Sequence, residues 1–212
     1  MQTDRLIDTL ARDVDHRQRP VGVTLAIALL LAAPVSMALF MATLGVRDDV
    51  MTAMHNPFFD LKFVVTLTLA IAAIAVSVHL ARPETSLRGW GWLLVVPLAL
   101  VGVGIAAEWM LPQQRPWLVR MIGNNAPTCV VAIPAFSIPL LVAALLALRR
   151  GAPARPALAG AMAGVLAAGL GATLYASHCA DDSPLFVALW YSIAVAFVAG
   201  VGAIAGHRML RY

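Results

Sequence analysis

Charged side chains are scarce in this sequence. Asp, Glu, Lys and Arg together make up 12% of its 212 residues, while 61% are hydrophobic and the mean hydropathy is +0.84. A soluble globular domain carries about 25% charged residues, so the composition excludes that class. The sequence therefore predicts an integral membrane protein.

Alternation of apolar and polar residues is also missing from the hydrophobic stretches, which excludes a transmembrane β-barrel. The backbone must then satisfy its hydrogen bonds within helices, and each crossing needs about 20 residues. Six apolar runs reach that length, at residues 21–45, 61–81, 89–111, 129–148, 156–178 and 185–206. We predict an all-α fold, a polytopic membrane protein built as a six-transmembrane-helix bundle.

The basic residues are distributed unevenly between the two sides of the predicted bundle, and this asymmetry indicates its orientation in the membrane. Of the 15 Lys and Arg residues, 11 lie in the N-terminal segment, the second and fourth loops and the tail. The opposite side holds only Arg47, Lys62, Arg115 and Arg120. Cytoplasmic loops carry the excess of Lys and Arg, so we predict that both termini are cytoplasmic. The net charge of +4 then reflects this asymmetry, and we expect no direct contact with nucleic acid.

A cleavable signal peptide is not recognisable, because about 20 mostly polar residues precede a first apolar run that is too long for a signal-peptide core. We expect three regions in the chain. Residues 1–20 form a cytoplasmic N-terminal amphipathic segment, residues 21–206 the six-helix transmembrane domain, and residues 207–212 a cytoplasmic tail.

Small residues recur at every fourth position of the fifth predicted span. They are Gly160, Gly164, Ala168 and Ala172. At helical periodicity they form a stripe along one face, and such stripes let the backbones of neighbouring membrane helices approach closely. We expect a tightly packed neighbour on this face.

Cysteine is nearly absent, and the two that occur are far apart in sequence. Cys129 begins the fourth predicted span and Cys179 follows the fifth, so the topology puts both at the outer face, and no CxxC pair occurs. Extracytoplasmic compartments sustain disulfides, and two helix ends can approach within the Cα separation of about 5.5 Å that one needs. A static disulfide, two buried hydrophobic side chains, a regulatory thiol pair and a metal site all remain open.

Acidic and imidazole groups gather at the same predicted face. His178, Asp181 and Asp182 flank Cys179, and Glu108 lies near the outer end of the third span. Together with two thiolates they would suit a borderline divalent metal. Aspartates in such a tight turn more often serve as turn formers or as N-caps, here of the sixth helix. Glu108 is a functional candidate because an ionisable group within a span is costly, and the alternative is a hydrated side chain about one turn from the interface.

The N-terminal segment has the pattern of a docking helix. If Thr3 opens a helix, then Leu6, Ile7, Leu10 and Val14 share one face and acidic residues line another. A helix made for an anionic lipid surface would be basic, so a protein partner is favoured over lipid. The alternative is a short helix that packs on its own bundle. The candidate partner-binding residues are Asp4, Leu6, Ile7, Asp8, Leu10, Asp13 and Val14.

Several stretches spread along the chain resemble one family. They are residues 3–7 with Leu10 and Asp13, Asn56 with Pro57, Cys129 with residues 134–136, residues 149–153, His178 with Cys179, residues 183–186, and Trp190 with Tyr191. Together with six spans and two outer cysteines, these stretches resemble the NrsF family over nearly the whole chain.

The resemblance implies an anti-sigma factor of the bacterial inner membrane. Such a protein holds an extracytoplasmic-function sigma factor inactive and releases it under heavy-metal or oxidative stress. The positions that match the family's signal-responsive cysteines are Cys129 and Cys179. The resemblance implies no enzymatic activity and no resident cofactor, although a transient divalent metal at the outer cysteines is compatible with it. In the resting state Arg82, Arg88, Arg149 and Arg150 would assist the N-terminal segment in holding the sigma factor.

Two other classes stay open on the residues alone. A membrane thiol oxidoreductase would pass electrons through Cys129 and Cys179, but the usual vicinal cysteines are absent. A small-ion or metal transporter would place Glu108 and the thiols at the mouth of a pathway, but an internal repeat is missing. Disulfide formation that depends on quinone would favour the first class, and zinc or cadmium uptake into vesicles the second.

Overall fold

In the computed structural model the chain is described over residues 20–82, 89–112 and 114–211, and throughout these ranges its regular structure is helical. Six helices are long and apolar enough to cross a membrane, as predicted. In chain order the helices are α1 (Val21–Thr43), α2 (Val50–Ala53), α3 (Pro57–Leu80), α4 (Gly91–Met110), α5 (Trp117–Ile122), α6 (Ala126–Leu148), α7 (Pro156–Ala176) and α8 (Pro184–Met209). The short α2 and α5 lie in loops at one end of the bundle.

Local capping explains where the predicted boundaries were wrong. The second span begins at Pro57, four residues before the predicted start, because the Asn56 side chain accepts a hydrogen bond from the Phe58 N–H at 3.1 Å. Proline is well tolerated in the first turn of a helix, where its missing N–H has no intrahelical partner to lose. The sixth span likewise begins at Pro184 behind the N-cap Ser183, and it continues to Met209, beyond the predicted end at residue 206.

Helix α7 is the central helix of the bundle and packs against α3, α6 and α8. Its stripe of small residues behaves as predicted, since Gly160 and Gly164 face the backbone of α8 at Gly202 and Val198. A Cβ atom at Gly164 would lie only 2.5 Å from the Val198 carbonyl oxygen. The absence of side chains therefore sets the separation of the two helices.

Helix α4 is the least buried of the six long helices and packs mainly on α3. Its exposed side chains are large and apolar, including Leu98, Val103 and Trp109. In water such a surface would be unfavourable, whereas in hydrocarbon it costs nothing. The outside of the bundle is therefore suited to lipid.

The N-terminal segment lies outside the described residues, apart from Pro20. The proposed partner-binding positions from Asp4 to Val14, and Arg88 of the second loop, are therefore known from sequence alone. At the end of the bundle away from the cysteines, the Ala152 N–H donates to the Ala81 carbonyl at 3.2 Å. The second and fourth loops, which carry Arg82 and Arg149, thus meet at one end.

Candidate functional site

Both cysteines lie in one buried cluster at the end of the bundle that also carries α2 and α5. Cys129 and Cys179 have no solvent exposure, and neither forms a disulfide. They pack with aromatic side chains from α1, α6, α7 and α8, and we call this set the thiol cluster. Its aromatic members are Phe40, Phe136, Tyr175, Phe186 and Tyr191. The structure thus unites two thiols that are 50 residues apart, as free and enclosed groups.

Cys129 is positioned by the first turn of α6. The Asn125 carbonyl accepts a hydrogen bond from the Cys129 N–H at 2.9 Å and another from the Tyr175 hydroxyl at 3.2 Å. Further along the same helix, Phe136 packs edge to face against Phe40 of α1, with the ring centroids 5.5 Å apart. Helix α6 then runs without interruption to Leu148, next to Arg149.

Cys179 lies in the segment that joins α7 to α8, residues 177–183, which we call the Cys179 loop. The loop is held from α3 by Lys62, whose ammonium donates to the Cys179 carbonyl at 2.8 Å and to the Asp182 carboxylate at 2.6 Å. Arg47 adds a second cation, 3.3 Å from the same carbonyl and from the same carboxylate. Lys62 is only 1% exposed and rests against the ring of Phe59. A buried ammonium requires such partners, because its desolvation is otherwise too costly.

Asp181 connects the Cys179 loop to the start of α6. One of its carboxylate oxygens accepts from the backbone N–H groups of Asn124 and Asn125, at 2.9 and 2.8 Å, and from the Asn125 side chain at 3.0 Å. Hydrogen bonds to a carboxylate are stronger than those between neutral groups. The segment with Cys179 and the helix with Cys129 are therefore joined through one side chain.

A single turn of π-helix, Val187–Tyr191, which we call the π-turn, interrupts α8 beside the thiol cluster. Trp190 in this turn donates from its indole nitrogen to the Met121 carbonyl of α5 at 3.1 Å. Its neighbour Tyr191 points into the cluster, with its ring 5.9 Å from that of Tyr175. π-turns of this kind occur frequently at functional sites.

The environment of Cys179 keeps its sulfur protonated. Burial raises the pKa of the Cys179 thiol, and the charge of Lys62 opposes that shift without cancelling it. The thiol lies 3.8 Å from the Asp181 carbonyl, to which it can donate. Since the thiolate is the nucleophile and the metal ligand, the raised pKa lowers the reactivity of this thiol at neutral pH.

The other candidate ligands are engaged separately and are not grouped around the thiols. His178 contacts the Gly45 carbonyl at 3.0 Å, Asp182 binds Lys62 and Arg47, and Glu108 lies 2.6 Å from Arg120. Within the described ranges, no three His, Cys, Asp or Glu side chains form a group that could hold a metal ion. The N-cap of α8 is Ser183, so the expectation that an aspartate caps that helix was wrong.

A polar cavity of about 250 Å³ opens at this end of the molecule. Its walls include Glu108, Arg115 and Arg120 on one side and residues 180–183 of the Cys179 loop on the other. Cys179 is fully buried and is not part of the cavity walls. A small solute in the cavity therefore touches the Cys179 loop but not the thiol.

Sequence reasoning missed the groups that hold the loop. Lys62 and Arg47 were counted only as outer basic residues, and neither Asn125 nor Tyr191 was singled out as a site residue. A usable signal existed for Lys62, the single lysine of the chain, since it lies inside an apolar run. An ion in such a run needs a counterion from elsewhere in the fold.

These features define the class of the protein: a helical bundle with six helices long and apolar enough to cross a membrane, whose two free thiols are enclosed at one end beneath a charged loop. The family model described as "NrsF: Negative regulator of sigma F" matches residues 10–212. The chain belongs to this family of regulators.

Two relatives match the chain over its full length. The anti-sigma-F factor NrsF of Caulobacter vibrioides (strain NA1000 / CB15N) is 35% identical over 214 residues. The probable anti-sigma-F factor NrsF of Azospira oryzae (strain ATCC BAA-33 / DSM 13638 / PS) is 30% identical over 222 residues. Each alignment covers 100% of both proteins. No solved structure matches the chain.

Proposed function

We propose that this protein is an anti-sigma factor of the bacterial inner membrane that binds an extracytoplasmic-function sigma factor and releases it when its outer thiols respond to redox or heavy-metal stress. The observation that carries the proposal is the full-length similarity to relatives named as anti-sigma-F factors. The arrangement of the molecule supports it. A sensor of external stress needs its chemistry at one end of the membrane and its output at the other.

In this proposal both termini and the arginine-rich loops face the cytoplasm. The support is the distribution of 11 of 15 basic residues on that side. The second and fourth loops meet there through the Ala152–Ala81 backbone hydrogen bond. They add surface next to the point where the N-terminal segment enters the membrane at Pro20. A standard interface needs about 800 Å² from each partner, which is large for a 20-residue segment alone, so in this proposal the loops share the contact.

The input would be a change at the thiol cluster. A disulfide between Cys129 and Cys179, or a soft metal held by both sulfurs, favours whichever arrangement of the bundle brings the two sulfurs into bonding geometry. Both thiols are enclosed, so the Cys179 loop must rearrange during the response. Asp181 would pass that rearrangement to the start of α6.

Helix α6 is the direct connection between input and output. It carries Cys129 in its first turn and ends next to Arg149, about 30 Å away at the helical rise of about 1.5 Å per residue. Movement of its outer end by the Cys179 loop would shift the cytoplasmic loop that contains Arg149 and Arg150. The sigma factor, held there and by the N-terminal segment, would then be released.

The deciding experiment is co-purification with candidate sigma factors from detergent-solubilised membranes. The intact chain should capture its sigma factor, and a variant without residues 2–19 should not. A full-length variant with Leu6, Ile7 and Leu10 changed to Ala keeps the segment but loses most of its apolar face, and it should also fail to capture the sigma factor. Failure of the intact chain to capture any sigma factor would refute the proposal.

The sensory half has its own test. Cys129→Ser and Cys179→Ser should still capture the sigma factor, but they should no longer release it after the cells are treated with diamide or cadmium. Release from both variants at the rate of the unmodified protein would refute the role of the thiols and leave the anti-sigma activity standing.

A further inference from the structure

Tyr191 carries a buried hydroxyl that the resting structure does not use. Its side chain is 4% exposed, and the hydroxyl has no hydrogen-bond partner among the residues that the structure describes. It belongs to the thiol cluster and lies close enough to Cys179 for the two groups to interact, although the distance and angle criteria of a hydrogen bond are not met. A buried hydroxyl without a partner costs free energy, so structural stabilisation does not account for it.

The π-turn is what directs Tyr191 into the cluster. In a regular α-helix, residues five apart differ by about 140° around the axis and face different surroundings. The wider π-turn brings Phe186 and Tyr191 to the same face, and both rings lie in the thiol cluster with centroids 6.4 Å apart. An α-helical turn would turn the hydroxyl away from the sulfur.

Tyr175 provides the contrast. Its hydroxyl lies near the same thiols but donates to the Asn125 carbonyl at 3.2 Å, which ties α7 to the start of α6. The two tyrosines therefore differ in what their hydroxyls do at rest. The Tyr175 hydroxyl also acts on Cys179, but a backbone carbonyl already holds it, whereas the Tyr191 hydroxyl is available to a group that changes its charge.

We infer that the Tyr191 hydroxyl is the hydrogen-bond donor that the Cys179 sulfur acquires when negative charge develops on it. The inference rests on the proposed function, because it assigns a residue to the thiol response. A hydroxyl that donates to a sulfur anion stabilises it relative to the thiol. Tyr191 does not react itself. It is a positioning residue that stabilises the thiolate of Cys179, so that a buried thiol of low reactivity becomes able to react.

The test is the pH profile of Cys179 modification in purified full-length protein with Cys129→Ser. Methyl methanethiosulfonate is the probe: the Cys179 thiolate attacks its sulfenyl sulfur, a mixed disulfide with an S–CH₃ group forms, and methanesulfinate leaves with the electron pair. Lys62, Asp181, Tyr175 and position 129 face Cys179 from the elements around it and are the same in every sample.

Tyr191→Phe should move the midpoint of this profile to higher pH. Below the midpoint we expect modification to be about tenfold slower, the effect of one pKa unit, which lies at the lower end of what a hydrogen bond to a charged group contributes. At high pH, where the thiolate is complete in both proteins, the two rates should converge. A reduction by the same factor at every pH would mean altered access, and it would overturn the inference, as would an unchanged profile.

Two further variants separate charge stabilisation from packing. Trp190→Phe removes the neighbouring hydrogen bond to Met121 from the same π-turn and should leave the midpoint in place. Replacement of Tyr191 by 3-fluorotyrosine, a stronger donor of nearly the same size, should move the midpoint to lower pH. An equal shift with Trp190→Phe, or no shift with fluorotyrosine, would refute the inference. Because the sigma factor takes no part in this assay, its result is independent of the co-purification result.

Discussion

The ammonium of Lys62 lies 2.6 Å from the carboxylate of Asp182, and this contact joins the interior of α3 to the Cys179 loop. The two partners are unequally enclosed, with side-chain exposures of 1% and 16%. Asp182 also has Arg47 as a second cation at 3.3 Å. Loss of one partner therefore has different consequences from loss of the other.

Asp182→Ala should destabilise the protein more than Lys62→Met does. The first change leaves a buried ammonium without its carboxylate, and breaking a buried pair in this way costs about 3–5 kcal/mol. The second leaves a partly exposed carboxylate that keeps Arg47. Thermal unfolding of both variants in the same detergent checks the order, and a larger loss for Lys62→Met would contradict it.

Asp181→Ala should expose both thiols to reagents. The substitution removes the acceptor of three N–H groups at the start of α6. Hydrogen bonds to charged groups contribute about 1.5–3 kcal/mol, so we expect maleimide to label Cys129 and Cys179 roughly ten to a hundred times faster. Asp48→Ala is the matched control, because Asp48 is an exposed acid at the same end of the bundle. Similar labelling rates in both variants would argue against a connecting role for Asp181.

Alanine substitutions at two nearby glycines of α8, Gly200 and Gly202, should have different effects on the stability of the bundle. A Cβ atom at Gly202 would meet the backbone of α7 at Gly160, whereas at Gly200 it would meet nothing within 4 Å. We expect Gly202→Ala to destabilise the bundle by about 1–3 kcal/mol through overpacking. Gly200→Ala should be neutral or stabilising by up to about 1 kcal/mol, because alanine is the better helix former. Unfolding of the pair in one detergent tests the expectation, which equal effects would contradict.

The pKa of Cys179 predicts how stability changes at alkaline pH. Burial raises this pKa above the unfolded value of about 8.5. Above pH 8.5 the unfolded chain binds fewer protons than the folded one, so the stability due to the neutral thiol is lost as pH rises. Unfolding of the native protein between pH 7 and 10 should therefore show a steeper decline than that of Cys179→Ala. Parallel curves would show that ionisation of the Cys179 thiol does not affect the stability of the fold.

The positions of the six spans followed from hydropathy, since length and apolar continuity suffice to identify a membrane helix. The stripe at Gly160 and Gly164 also indicated close packing correctly, because the periodicity of one helix contains that information. The start of the second span was missed because a single local hydrogen bond, from the Phe58 N–H to the Asn56 side chain, sets it, and hydropathy does not report such a bond.

The site was predicted only in part. Both cysteines, Asp181 and Asp182 were recognised as candidates, but their contacts were not foreseen. Asp181 meets Asn125 across 56 residues of chain, and Lys62 meets Asp182 across 120. No local pattern encodes such pairs, since each side chain at its own position is compatible with many partners.

Composition and periodicity were enough for the class of fold, because burial in hydrocarbon imposes the same demand on every residue of a span. They were also enough for the number of long apolar helices and for the expectation that the two thiols lie at the same end of the bundle. Folding decided which groups enclose those thiols: Lys62 from α3, Asp181 at the start of α6, and Tyr191 on a π-turn. These contacts join parts of the chain that are distant in sequence, and they exist only once the helices have packed against α7 at the separation its glycines permit.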